Sequence, residues 1–360
     1  MQPGLTKACI QCDEGWPCCR NCECGGRHCI YDRDQPTPVG HHDTKELSEP
    51  VESAERRETE LQLLHFYIVY TGPSIAFEVE SSNELYVKAI PEMALKSKSL
   101  LYTLFAISAL HQSKLQEQNV PSTVKSPGDN RIENQHSLYM RLAFQHHRRG
   151  LSNITSENID ILFLTSQLLR VLAWFVLSER ELEPYQPPVE WFHVAKSHCQ
   201  LWTIAWDMAK SNETALVLHF VRTTPCFWWK TTPKGSDGGW NLDYVLDSQL
   251  DDIQGNDNPE TWGEEALEAC KWAINYINNI LGAIEEQESF GLIARSILFF
   301  PVLAPDGFIA LVGQRKPRPL VILAHYFALL TSLQRFWYIG DTGAREVEAI
   351  HHFCRRAGRP

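Results

Sequence analysis

The 360-residue chain lacks an excess of positive charge. It carries 33 Lys and Arg residues against 44 Asp and Glu residues, so its formal net charge at pH 7 is −11. Because proteins bind nucleic acid largely by neutralising phosphates with Lys and Arg, such a surface does not by itself attract DNA or RNA. Any DNA binding would have to come from a local basic segment.

The sequence also lacks the short motifs of common enzyme classes. It has no G-x-S-x-G nucleophile motif, no glycine-rich phosphate loop and no H-E-x-x-H zinc motif. The adjacent pairs His146-His147 and His351-His352 point to different sides of a helix, so neither pair can share one metal ion. We therefore predict that the protein is not an enzyme.

Runs of alternating apolar and polar residues, which would indicate β-strands, are missing as well. Apolar residues instead recur at three- and four-residue steps, as in residues 97–116, and residues 319–338 are strongly apolar. With 44% hydrophobic residues the chain can bury a full core. The sequence therefore predicts an all-α fold, a helical bundle preceded by a small Cys-rich segment.

One apolar segment, residues 159–177, approaches the length needed to cross a membrane. It contains Asp160, Gln167 and Arg170, and charged side chains are costly inside a bilayer. We predict a buried core helix here and no membrane span.

Seven of the eleven cysteines fall between residues 9 and 29. Four of them, Cys12, Cys19, Cys22 and Cys29, could supply the four thiolates of a tetrahedral zinc site, which makes zinc the expected cofactor. The alternative is a set of free or disulfide-linked thiols. The other four cysteines are scattered and no secretory signal is evident, so a secreted disulfide scaffold is not expected.

The Cys-rich segment resembles the second half of a fungal binuclear zinc cluster, with the pattern C-x2-C-x6-C-x5–12-C-x2-C-x6–8-C. The four cysteines match its third to sixth cysteines, but Gln2 and Leu5 stand where the first two are expected. Only Lys7 remains of the usual basic stretch, and residues 1–32 hold three basic residues against four acidic ones. Either an upstream segment is missing or DNA binding has been lost. We expect weak, non-specific binding where the family implies CGG-type half-sites.

The remainder resembles the C-terminal regulatory domain of fungal zinc-cluster transcription factors, within the sterol uptake control group. The resemblance is carried by the segments LQLLHFYIVYTGPSIAF (61–77), FPVLAPDGFIALV (300–312) and LVILAHYFALL (320–330), among others. It implies a helical domain that binds a sterol and thereby restrains activation and nuclear entry. We expect the protein to be nuclear, and cytoplasmic when its ligand is bound. We also expect it to form a homodimer.

The expected organisation is a partial zinc cluster at 1–32, a flexible linker at 33–59 and a helical ligand-binding domain at 60–355. The candidate pocket residues are Phe105, Leu169, Trp174, Phe327 and Trp337, with His325 as a polar contact for a ligand hydroxyl. The alternative for each is ordinary core packing. Two other functions stay open: a helical sensor or interaction protein that does not bind DNA, and a regulator of a secondary-metabolite gene cluster without a sterol ligand.

Overall fold

The computed structural model describes residues 49–76, 84–119, 129–209, 216, 242–246 and 263–357. Within these ranges no residue lies in a β-strand, which confirms the predicted all-α fold. The described residues all belong to the second of the chain's two units, Glu49–Pro360. The predicted zinc ligands Cys12, Cys19, Cys22 and Cys29 lie outside the described residues.

The α-helices, numbered in chain order, are α1 (Ala54–Phe66), α2 (Gly72–Ile75), α3 (Ile90–Ala94), α4 (Lys98–Asn119), α5 (Asp129–Leu151), α6 (Ile159–Glu179), α7 (Val189–Ala209), α8 (Glu264–Glu285), α9 (Phe290–Leu303), α10 (Asp306–Gly313), α11 (Pro317–Leu330) and α12 (Thr342–Ala357). Two π-helical turns, Tyr67–Thr71 and Leu85–Ala89, and two 3-10 turns, Asp243–Leu246 and Thr331–Leu333, complete the described elements. The helices α4 and α5 pack along each other, as do α11 and α12.

Helix α6 occupies the centre of the fold. It packs against α4, α5 and α7, and 14 of its 21 residues are buried. By length and composition it could cross a membrane, and the bent pair α9 and α10 passes the same test together. However, 72% of the apolar window of α6 is buried inside the fold, which is the environment of a core helix.

Helix α1 begins at Ala54, six residues before the predicted start of the helical domain and within the predicted linker. The side chain of Ser53 caps it by accepting a hydrogen bond from the backbone N–H of Arg56. An ion pair one turn apart, Arg56 to Glu60 at 2.7 Å, supports the first turns. The charged residues from 55 to 58 therefore belong to a helix and not to a linker.

The Thr71-Gly72-Pro73 sequence is typical of a helix end, but the helical path of the chain does not end there. The chain widens into the π-helical turn Tyr67–Thr71 and continues as α2. Pro73 lies in the first turn of α2, a position at which proline is common in helices. Gly72 suits a close approach of the backbone, because an added Cβ would lie 3.0 Å from the carbonyl oxygen of Tyr86 and 3.3 Å from that of Tyr67.

Other helix boundaries differ by a few residues from the sequence pattern. Helix α8 begins at Glu264, directly after Gly263 in an extended conformation. In the apolar segment 319–338 the helix α11 ends at Leu330, and turns follow up to Gly340, whose φ of +51° favours glycine. Helix α12 then packs tightly on α11, since a Cβ at Gly343 would lie 2.5 Å from the carbonyl oxygen of Phe327.

Helix α12 holds the C-terminal end of α6 through two charged side chains. Glu346 is 1% exposed and makes a two-pronged ion pair with Arg180, with N–O distances of 2.5 and 2.7 Å. Burial raises the pKa of Glu346, and the hydrogen bonds from Arg180 oppose that rise. Arg345 donates to the backbone carbonyls of Ser178 and Arg180. These contacts satisfy carbonyl groups that the end of a helix leaves without partners.

Candidate functional site

Two of the predicted pocket residues, Trp174 and Phe327, meet at a third aromatic side chain. The ring of Trp191 lies 4.8 Å from that of Trp174 and 6.3 Å from that of Phe327, measured between centroids. Trp174 comes from α6, Trp191 from α7 and Phe327 from α11, so the cluster forms where three helices converge. Leu169 is also buried in the core, at 7% exposure.

The aromatic cluster continues toward α9 through Tyr326. Its ring stacks on Phe300 at 4.3 Å, and its hydroxyl donates to the carbonyl of Ile297 at 3.1 Å. Nearby on α8, the hydroxyl of Tyr276 donates to the carbonyl of Ser296 at 2.9 Å. The buried tyrosines therefore have backbone partners on α9, and the cluster is apolar where Trp174 and Phe327 meet.

The predicted polar contact, His325, is half-buried and already has two partners. One ring nitrogen, Nδ1, lies 2.8 Å from the carbonyl of Val321, and the other, Nε2, lies 3.0 Å from the hydroxyl of Tyr244. With the proton placed on Nδ1, His325 donates to Val321 and accepts from Tyr244. The hydroxyl of Tyr244 thus occupies the place on His325 that was predicted for a ligand hydroxyl.

The remaining two predicted residues lie in other groups of side chains. Phe105 is buried between α4 and α5, with its ring 5.2 Å from Tyr139 and 6.3 Å from Tyr102. Trp337 stacks on His111 at 4.5 Å, and its Nε1 donates to the hydroxyl of Ser74 at 3.1 Å. These contacts belong to packing around α4, so the structure does not bring all six residues to one place. Their role in ligand binding stays a prediction.

A polar network that the sequence pattern does not predict surrounds Trp337. His111 of α4 is 5% exposed, and its Nδ1 lies 3.0 Å from the hydroxyl of Thr71 in the π-helical turn. Burial lowers the pKa of His111 to about 4. A second buried histidine, His147 of α5, has its Nε2 3.0 Å from the hydroxyl of Ser166 on α6, and burial lowers its pKa to about 4 as well. A histidine on an otherwise apolar helix face was the only signal for either site.

An open surface groove of about 660 Å³ runs along α1, and it was also missed because residues 54–58 were assigned to a linker. One of its apolar side chains, Leu61, is 62% exposed. The groove contains none of the six predicted pocket residues. Its lining is Ala54, Arg57, Glu58, Leu61, Gln62, His65, Phe66 and Gln112.

No group of three or more His, Cys, Asp and Glu side chains in the described part of the chain could hold a metal ion. The predicted zinc ligands, which precede residue 49, lie outside the described residues.

Comparison with known proteins supports one class of protein. Residues 62–176, from within α1 to the last turn of α6, match the family described as the fungal specific transcription factor domain. The chain is 26% identical over 324 residues to the Zn(2)-C6 fungal-type transcription factor afumD of Aspergillus fumigatus, which covers 88% of this chain and 81% of that protein. It is also 24% identical over 308 residues to a Zn(2)-C6 fungal-type transcription factor of Gibberella zeae.

The second similarity covers 82% of this chain but only 58% of the Gibberella zeae protein, so this chain spans less than two thirds of that relative. Together these similarities support a fungal transcription regulator.

We predict that acid destabilises the helical domain through His111 and His147. Their pKa values are lower in the folded state than the ordinary 6.5, so the unfolded chain binds more protons below that value. The stabilisation is complete above pH 6.5 and is lost as the pH falls toward 4. Between pH 7.5 and 5 each histidine should cost about 2 kcal/mol of the free energy of unfolding.

Urea unfolding at both pH values measures this effect. The variant His111→Gln should show a smaller loss on acidification than the native chain, whereas His351→Gln, at an exposed position on α12, should lose as much as the native chain. An unchanged loss in His111→Gln would contradict the prediction.

Proposed function

We propose that the protein is a fungal transcription regulator and that the helical domain described above is its regulatory part. The observation that carries the proposal is the family match over residues 62–176, which covers the core helix α6 and the helices α4 and α5 packed against it. The similarity to two Zn(2)-C6 fungal-type transcription factors extends over more than four fifths of the chain. A nuclear location follows from this function.

The Cys-rich segment gives the proposed regulator one zinc ion and little affinity for DNA. Cys12, Cys19, Cys22 and Cys29 would hold the metal, and metal analysis of the reduced full chain tests this against zero or two zinc ions. Residues 1–32 have a net charge of −1, with three basic and four acidic residues, so contact with CGG-type half-sites should be weak.

Regulation without direct DNA contact, as an interaction protein and a homodimer, is the second candidate. The exposed side chains of Leu61 and Tyr70, at 62% and 53%, favour it.

Tethering tests the proposed function without depending on DNA affinity. The full chain is fused to an unrelated DNA-binding domain and expressed in a fungus that carries a reporter gene with the matching sites. A transcription regulator should raise or lower reporter expression relative to the DNA-binding domain alone. The control is the same fusion with Ala273→Asp, which places a charge at a fully buried position of α8 and should unfold the domain. Equal reporter expression from all three proteins would contradict the proposal.

An apolar ligand, most simply a sterol, is the proposed effector of the helical domain. Two features support it: the meeting of Trp174 and Phe327 at Trp191, and their burial at 3% and 0% exposure. Sterol binding would then restrain activation and hold the protein in the cytoplasm.

We predict that ergosterol raises the melting temperature of the full chain. A ligand that binds only the folded state adds about 2.7 kcal/mol of stability at a hundredfold excess over its Kd. The variant Phe327→Leu should lose most of this shift. The control Phe163→Leu removes an equally buried ring that packs on Trp202, and it should keep the shift even though its unliganded melting temperature falls.

Two results would contradict the sterol proposal without contradicting the regulator proposal. No shift with the native chain would contradict the sterol, and so would an equal loss of the shift in both variants. The regulator proposal would still stand if the tethered protein changed reporter expression.

A further inference from the structure

The sequence places an arginine three residues before a serine or threonine at only two positions. Arg56 precedes Thr59, and Arg149 precedes Ser152; each has a second arginine beside it, Arg57 and Arg148. Protein kinases that select basic substrates hold such arginines with carboxylates, because charge-assisted bonds to a guanidinium are strong and geometrically specific. The spacing alone does not distinguish the two hydroxyls.

The structure separates the two positions. Thr59 lies inside α1, and its hydroxyl donates to the carbonyl of Glu55 at 2.9 Å. Its arginine at −3, Arg56, is half-buried and paired with Glu60 at 2.7 Å. A kinase cleft binds its substrate as an extended segment, so presenting Thr59 would require the first turns of α1 to unwind and Arg56 to leave Glu60.

Ser152, in contrast, lies in the turn that follows α5. Its side chain is exposed, and so are those of Arg148 and Arg149 in the last turn of the helix. Helix ends open with little free energy, so this hydroxyl and its arginines can be presented together. Leu151, immediately before the serine, is 40% exposed as well.

We propose that Ser152 is a phosphorylation site for a protein kinase that recognises basic residues N-terminal to the acceptor. In the reaction a bond forms between the Ser152 Oγ and the γ-phosphorus of a nucleoside triphosphate. The bond from that phosphorus to the β–γ bridging oxygen breaks, the nucleoside diphosphate leaves, and the hydroxyl proton passes to the kinase. This proposal is independent of the ligand of the helical domain.

Phosphorylation would change the end of α5. The Ser152 hydroxyl now donates to the carbonyl of Arg149 at 2.7 Å, and a phosphoester has no proton for that bond. The phosphate adds about −1.5 to −2 charges at the negative end of the helix, which opposes helix formation there. Arg148 and Arg149 offer new partners for its oxygens. The last turn of α5 should therefore rearrange around the phosphate.

The rearrangement would alter the packing of α5 against the core helix α6. Gly150 approaches α6 so closely that an added Cβ would lie 2.6 Å from the Cδ2 of Leu162. His147, one turn earlier on α5, contacts Ser166 of α6 at 3.0 Å. A phosphate on Ser152 thus acts on the contact between α5 and α6, within the segment 62–176 that matches the transcription factor family.

The test treats the full chain with the catalytic subunit of a cyclic-AMP-dependent protein kinase and ATP, and locates phosphate by tandem mass spectrometry. We expect phosphate on Ser152 and none on Thr59. Arg149→Gln should slow the reaction at Ser152 about tenfold, the value of one charge-assisted hydrogen bond. Arg141→Gln is the matched control, an exposed arginine on the same helix with Phe144 three residues later, and it should react like the native chain.

Hydrogen exchange then measures the consequence. Amides of residues 146–153 should exchange faster in the phosphorylated chain than in the untreated chain, and Ser152→Ala treated with kinase should show no change. The proposal is overturned if Ser152 stays unmodified in the folded native chain, if Thr59 reacts as fast as Ser152, or if Arg149→Gln reacts as fast as Arg141→Gln. Unchanged exchange in a chain fully phosphorylated at Ser152 would overturn the proposed rearrangement of α5.

Discussion

The burial of α6, in which 14 of 21 residues are buried, is the constraint on which the rest of the described fold depends. A helix with apolar residues on every side is stable in water only if other helices cover all of it. Here α4 and α5 cover one side and α7 another, and α12 reaches the C-terminal end. The family match ends at residue 176, before Arg180, so the residues that fix the end of the helix lie beyond the matched segment. The family-matched residues 62–176 and the later helix α12 therefore belong to one folded domain.

The core helices could be predicted because their own apolar composition indicates that they are buried. Residues 159–177 are too apolar to be exposed and too polar at Asp160, Gln167 and Arg170 for a membrane, which left a core helix as the prediction, and the structure has it. The start of α1 could not be found in the same way. Its first turns are stabilised by a cap from Ser53 and by pairs between exposed charges, and such residues are equally common in linkers. Likewise, Pro73 marks a stop in sequence, but a π-helical turn before it carries the chain on.

The candidate site was only partly predictable, because periodicity gives the buried face of a helix but not its partner. Trp174 and Phe327 were both placed on buried faces, and they meet only because α7 inserts Trp191 between α6 and α11. Trp337 was predicted to line the same pocket on the same grounds. It lies in the turn after α11, however, and contacts His111 and Ser74. His325 was predicted to be polar and available, and the 3-10 turn Asp243–Leu246 supplies Tyr244 as its partner. Contacts of this kind depend on the paths of loops, which the spacing of apolar residues in the sequence does not predict.

The claim that α12 secures the end of α6 is open to a direct measurement. Glu346→Ala leaves Arg180 without its buried partner and should lower the free energy of unfolding by about 3–5 kcal/mol in urea. The matched variant Glu348→Ala lies on the same helix and removes an exposed carboxylate, 3.6 Å from His352, so it should cost less than about 0.5 kcal/mol. A loss in Glu346→Ala no larger than that in Glu348→Ala would contradict the account, since α12 would then be dispensable for holding the core helix.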